Sequence, residues 1–117
     1  MKLLLVDDEE KFISRLAERL KLRGYKADWA TTFDDALARA GAEKYDIAVL
    51  DVKMPSMSGI DLKSKIERIT PGIKFIFITG HGSEQDYDTV CQEAICCIIK
   101  PFKIEALVEQ IEQALNS

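Results

Sequence analysis

No apolar stretch in this 117-residue chain approaches the roughly 18 residues that a membrane-spanning helix needs. The opening Met1-Lys2-Leu3-Leu4-Leu5-Val6 is too short for a secretory signal and is cut off by Asp7-Asp8. It reads as a cytoplasmic N-terminus. Clusters of Lys and Arg are also lacking: 16 basic residues face 20 acidic ones, a net charge of −4, so this domain carries no electrostatic footprint for nucleic acid. Cysteine is scarce and odd in number, with Cys91, Cys96 and Cys97 crowded together, which suits a reducing compartment. A zinc site would have to recruit His81, the single histidine, at a spacing unlike that of a finger, and buried free thiols are the simpler reading.

What remains is a balanced chain, 47% hydrophobic and 31% charged, long enough to bury a core without staples and short enough to be one domain over residues 1–117. Lys2 to Val6, Ile47 to Leu50, Ile73 to Ile78 and Ile95 to Ile99 are nearly continuous apolar runs, the mark of strands buried on both faces. Tyr25 to Ala30 alternates instead, which predicts an edge strand with Trp29 as a packing residue. Between the strands lie helical periodicities: Phe12, Ile13, Leu16, Ala17 and Leu20 within Glu10 to Leu22, then Phe33 to about Ala42 capped by Thr32. Ser58 to Ile69 and Ser83 to about Ala94 follow, and Ile104, Leu107, Val108, Ile111 and Leu115 mark a fifth helix. Five strands alternating with five helices through short connections require right-handed crossovers and a doubly wound parallel sheet.

Ligands of such sheets bind beyond the C-terminal strand ends. There this chain has Asp7 and Asp8 after the first strand, Asp51 closing the third, Thr79 after the fourth and Lys100 after the fifth. Three carboxylates brought together repel one another, so either their pKa values rise or a cation binds, and an oxygen-only site with room for water suits Mg²⁺. Lys100 adds a fixed positive charge and Thr79 a hydroxyl. Together they form a kit for phosphoryl transfer, with a carboxylate nucleophile, a metal and a Lys to offset charge, and a donor to orient one oxygen.

The chain resembles, over its whole length, the receiver domain of bacterial two-component response regulators. Four motifs carry the likeness: Val6-Asp7-Asp8-Glu9, Leu50-Asp51-Val52-Lys53-Met54-Pro55 with Gly59, Thr79-Gly80-His81-Gly82, and Lys100-Pro101-Phe102. The resemblance implies a flavodoxin-like strand order of 2-1-3-4-5 and a cis Lys100-Pro101 bond. It implies that Asp51 accepts a phosphoryl group from the phospho-His of a sensor histidine kinase, the domain being a switch and not an enzyme beyond its own phosphotransfer and dephosphorylation. Asp8, Asp51 and the Lys53 carbonyl would then hold Mg²⁺, with Asp7 acting through water, and Thr79 and Lys100 would bind phosphoryl oxygens. The partner surface would be the fourth helix, fifth strand and fifth helix, including Tyr87, Cys91, Cys97 and Lys103, facing a downstream protein or an output domain. Homodimerisation stays open.

Two departures touch the switch. Cys97 stands three residues before Lys100 where the family usually has Tyr or Phe, and Glu93-Ala94 replaces the usual Gly-Ala. Thr79 and position 97 are the expected switch pair, and a thiol cannot fill the volume of a phenol ring. A non-switching interaction module is therefore one competing reading. A haloacid dehalogenase-type phosphatase is another, but it would need an acid where Lys53 stands. A flavodoxin is a third, but it would need a hydroxyl- and Gly-rich loop where Asp7-Asp8-Glu9-Glu10 would repel phosphate. His81 and Lys53 sit at the rim, where a role in water access and a plain loop role are equally open.

Overall fold

A computed structural model of the chain describes residues 1–54, 57–79 and 96–116. The elements run β1 (Lys2–Val6), α1 (Glu10–Leu22), β2 (Lys26–Ala30), α2 (Phe33–Ala42), β3 (Ile47–Asp51), α3 (Gly59–Ile69), β4 (Lys74–Thr79), β5 (Cys96–Ile99) and a C-terminal helix (Ile104–Leu115). A short antiparallel ribbon pairs Lys53–Met54 with Met57–Ser58 between β3 and α3. The helix expected over Ser83 to Ala94 lies outside the described residues, as do His81, Tyr87 and Cys91.

All five principal strands are parallel, in the order β2-β1-β3-β4-β5. This is the flavodoxin-like doubly wound sheet, and the order reverses between β1 and β3. Leu5 lies opposite both Trp29 and Val49, and Asp51 lies opposite Ile78, so the C-terminal ends of β1, β3 and β4 come out at one edge.

Strand pleating sends successive side chains to opposite faces, and the core divides accordingly. Leu3, Leu5, Val49, Ile76 and Ile78 pack with Ile13, Leu16 and Leu20 of α1 and with Leu107 and Ile111 of the C-terminal helix. Leu4, Val6, Ala48, Leu50, Phe75 and Phe77 pack on the other face with Ala36, Ala40, Leu62 and Ile66 of α2 and α3. Each fully buried Leu or Ile contributes about 1.5–3 kcal/mol, so both helical layers are pinned to the strands that end in the polar residues.

Local chemistry places the helix ends. The Thr32 hydroxyl accepts from the Asp35 N–H at 3.1 Å and caps α2. Gly24, with φ of 95°, turns the chain from α1 into β2. Trp29 packs against the core, as the stripe on β2 predicts. The alternation of β2 does not continue cleanly, because Asp28 is half-buried and accepts a hydrogen bond from Tyr45 Oη at 2.7 Å.

Candidate functional site

The strand ends assemble the site. Asp7 has no exposed surface, Asp51 is 6% exposed and Thr79 5%, while Asp8 is open to solvent. Carboxylate oxygens of Asp7, Asp8 and Asp51 all lie within 4.8 Å of one another. Oxygen donors in this number suit a hard cation, and an octahedral ion with bonds of about 2.0–2.1 Å brings opposite oxygens to about 4.2 Å, so a small adjustment would fit one.

A buried carboxylate needs compensation, and Asp7 finds it on both oxygens. Oδ1 accepts the Glu9 N–H at 2.8 Å, and Oδ2 accepts from Lys100 Nζ at 2.6 Å. Lys100 also approaches Glu9 Oε1 at 3.5 Å, and its side chain is only 18% exposed. Its backbone is set by an N–H bond to the Thr79 carbonyl at 2.8 Å, and the Lys100-Pro101 bond is cis. On another side the Lys100 ammonium sits 4.4 Å from the centroid of the Phe12 ring, and Phe12 meets Phe102 in a T-shaped contact at 5.9 Å.

Burial pushes the Asp7 carboxyl above its ordinary range, and this outweighs the hydrogen bonds from Lys100 and Glu9 and the charge of Lys100, which pull it down. For Lys100, burial alone would lower the pKa. The hydrogen bond and charge of Asp7, with the charges of Asp51 and Glu9, prevail and hold it above the ordinary lysine value.

Gly59 completes the floor. Its N–H donates to the Val52 carbonyl at 2.8 Å, and a Cβ at this position would overlap the Asp51 carbonyl oxygen. Of the residues singled out in the sequence, Asp7, Asp8, Asp51, Thr79 and Lys100 are thus gathered at one edge. Lys53 is held at the start of the ribbon, one residue beyond Val52. Cys97 lies on β5, in register with Phe77. Sequence reasoning missed Glu9 and Phe12. The first stood inside the acidic motif, one residue past Asp8, and the second was hidden among the inward positions of α1.

A doubly wound parallel sheet with buried acids and a lysine at its switch point defines the class of protein. The response regulator receiver domain family matches residues 3–112, and the chain belongs to that family, whose members are signalling switches of two-component systems. The chain is 33% identical over 115 residues to the transcriptional regulatory protein GlrR of Escherichia coli K12, covering 97% of this chain but only 26% of that protein's length. Among solved structures it is similar to a receiver domain protein (CheY-like) from Methanospirillum hungatei, with a TM-score of 0.88, 30% identity, and coverage of 98% and 93% of the two chains. It is also similar to a Burkholderia pseudomallei response regulator that carries a phosphorylated aspartic acid and a calcium ion. There the TM-score is 0.81 with 29% identity, and coverage is 99% and 74%. No described helix is long and apolar enough to cross a membrane.

Proposed function

We propose that Asp51 is the phosphoacceptor of a phosphorelay, receiving its phosphoryl group from a sensor histidine kinase with the help of Mg²⁺. The observation that carries this reading is the closeness of the Asp7, Asp8 and Asp51 carboxylates beside the Lys100 ammonium. A bound Mg²⁺ would offset the charge of the acids and of the incoming phosphoryl oxygens. Asp8, Asp51 and the Lys53 carbonyl are its proposed direct ligands, with Asp7 supporting it through water.

In this reading the chain's own groups divide the work. Asp51, at the tip of a strand paired on both sides, supplies a carboxylate oxygen in a fixed position. Lys100 pairs with Asp7 at rest and turns its remaining N–H donors to a phosphoryl oxygen. Thr79, whose carbonyl already holds the Lys100 backbone, offers its hydroxyl to another. The signal would leave through the expected partner face that includes Cys97 and Lys103, toward an output domain, a separate target or a second copy.

Acetyl phosphate labelling tests the proposal. One equivalent of phosphoryl group should be taken up in the presence of Mg²⁺, and none after chelation or in Asp51→Asn. Undiminished labelling of Asp51→Asn, or labelling indifferent to chelator, would overturn it.

A further inference from the structure

Phe12 is joined to the site by two contacts from one loop. Lys100 places its ammonium 4.4 Å from the ring centroid, and Phe102, two residues on, sets its own ring at 84° to that of Phe12. We propose that Phe12 is a positioning residue for the Lys100 ammonium, acting through the negative face of its ring. The proposal rests on the phosphoacceptor reading above, in which Lys100 must hold donors ready for a phosphoryl oxygen.

The chemistry favours a ring at this place over another acceptor. An ammonium has three N–H donors, and Asp7 takes one at 2.6 Å while Glu9 stands at 3.5 Å. One more carboxylate, beyond Asp7, Glu9 and Asp51, would occupy a further donor and add negative charge where a phosphoryl group has to arrive. An aromatic face attracts the cation through its quadrupole without adding net charge. It also covers one flank of a side chain that is only 18% exposed. The lysine stem is long and has many rotamers, and contact with a ring and two acids confines its tip. The grip is mutual, because the loop that carries Lys100 also carries the Phe102 ring that fixes the tilt of Phe12.

A bland alternative is that Phe12 merely fills space, since it also packs against the core shared by α1 and the C-terminal helix. Phe12→pentafluorophenylalanine separates the two, because it keeps the shape and reverses the ring quadrupole. Phe12→Leu removes the ring, and Phe12→Tyr restores it. Two readouts apply: the ¹⁵N and ¹H resonances of the Lys100 ammonium in unphosphorylated protein, and the rate of labelling by acetyl phosphate with Mg²⁺.

The Lys100 resonances should shift in the pentafluoro and Leu variants and stay in place in Phe12→Tyr. Labelling should slow about five-fold in the first two, as expected for loss of one cation–ring contact, and stay native in the third. The melting temperature of the pentafluoro variant should match that of the wild type. Native resonances and a native rate in the pentafluoro variant would overturn the proposal, even if Phe12→Leu were slow or unfolded. If the wild type accepts no phosphoryl group, the phosphoacceptor reading fails, and the resonance comparison alone still decides what the ring does to Lys100.

Discussion

A carboxylate with no exposed surface is tolerated only while something offsets its charge, and at Asp7 the ammonium of Lys100 supplies most of that offset. Both groups have raised pKa values, so the contribution of each is lost as pH rises, in two separate windows. The contribution of Asp7 to stability is fully present below its ordinary 3.8 and is lost as pH climbs through its raised value. That of Lys100 is present below 10.5 and is lost only above it, so at neutral pH the lysine holds in place a charge that burial disfavours. Lys100→Met should therefore destabilise the fold at pH 7 by about 2 kcal/mol, less than the 3–5 kcal/mol of a fully enclosed pair because the lysine is partly exposed. The gap to wild type should close as pH falls and Asp7 takes up a proton, which urea unfolding at pH 7.5 and pH 4 would measure. A gap that stays constant or widens in acid would refute the account. The identities of the site acids and of Lys100 were legible in the sequence, because residue type at a strand end is local information. Their pairing was not: no local window holds residues 7 and 100 together, and only the packed structure reveals that the fully buried Asp7 holds the ammonium.

At the scale of elements, the strands that announced themselves were those buried on both faces. β1, β3 and β4 leave continuous apolar runs, and α1 leaves apolar residues at 3.6-residue spacing. The ribbon at Lys53–Met54 and Met57–Ser58 left no such trace, since two-residue strands are too short for a period. Asp28 broke the pattern of β2 for a related reason. Its exposure was set by Tyr45, 17 residues away, which no local window contains. Gly59 was legible as part of a motif but not for its physical reason, the close approach of α3 to the end of β3. Gly59→Ala would drive its Cβ into the Asp51 carbonyl, with the Val52 Cα only 3.1 Å away, and neither backbone atom can rotate aside. The expected cost is about 1–3 kcal/mol in denaturant unfolding. Mg²⁺ titration followed by amide NMR should show weakened binding as well, because the displaced carbonyl belongs to the proposed acceptor residue. Native stability in this variant would mean that α3 can slide without disturbing β3.

For the whole molecule the open question is how a change at one sheet edge reaches another surface. A phosphoryl group shifts a conformational equilibrium only as far as it favours one state. In typical receivers an aromatic on the last strand moves with the hydroxyl of the Thr79 equivalent, as the resemblance implies, and Cys97 is too small to make that movement. The prediction is that beryllofluoride, a stand-in for the phosphoryl group, shifts amides of Gly80 to Ser83 and the residues that follow, and that Cys97→Tyr is not needed for the effect. Changes confined to residues lining the acidic cluster would favour a module that binds without switching. The chain spans 26% of the length of GlrR.

The position of β3 carries one more consequence. It is hydrogen-bonded to β1 on one side and β4 on the other, and each of its residues is buried. Backbone amides in such a strand exchange their hydrogens with solvent only when the domain opens as a whole. The proposed acceptor thus hangs from the part of the molecule that is last to let go. However long a label placed there lasts, its address does not move while the fold survives.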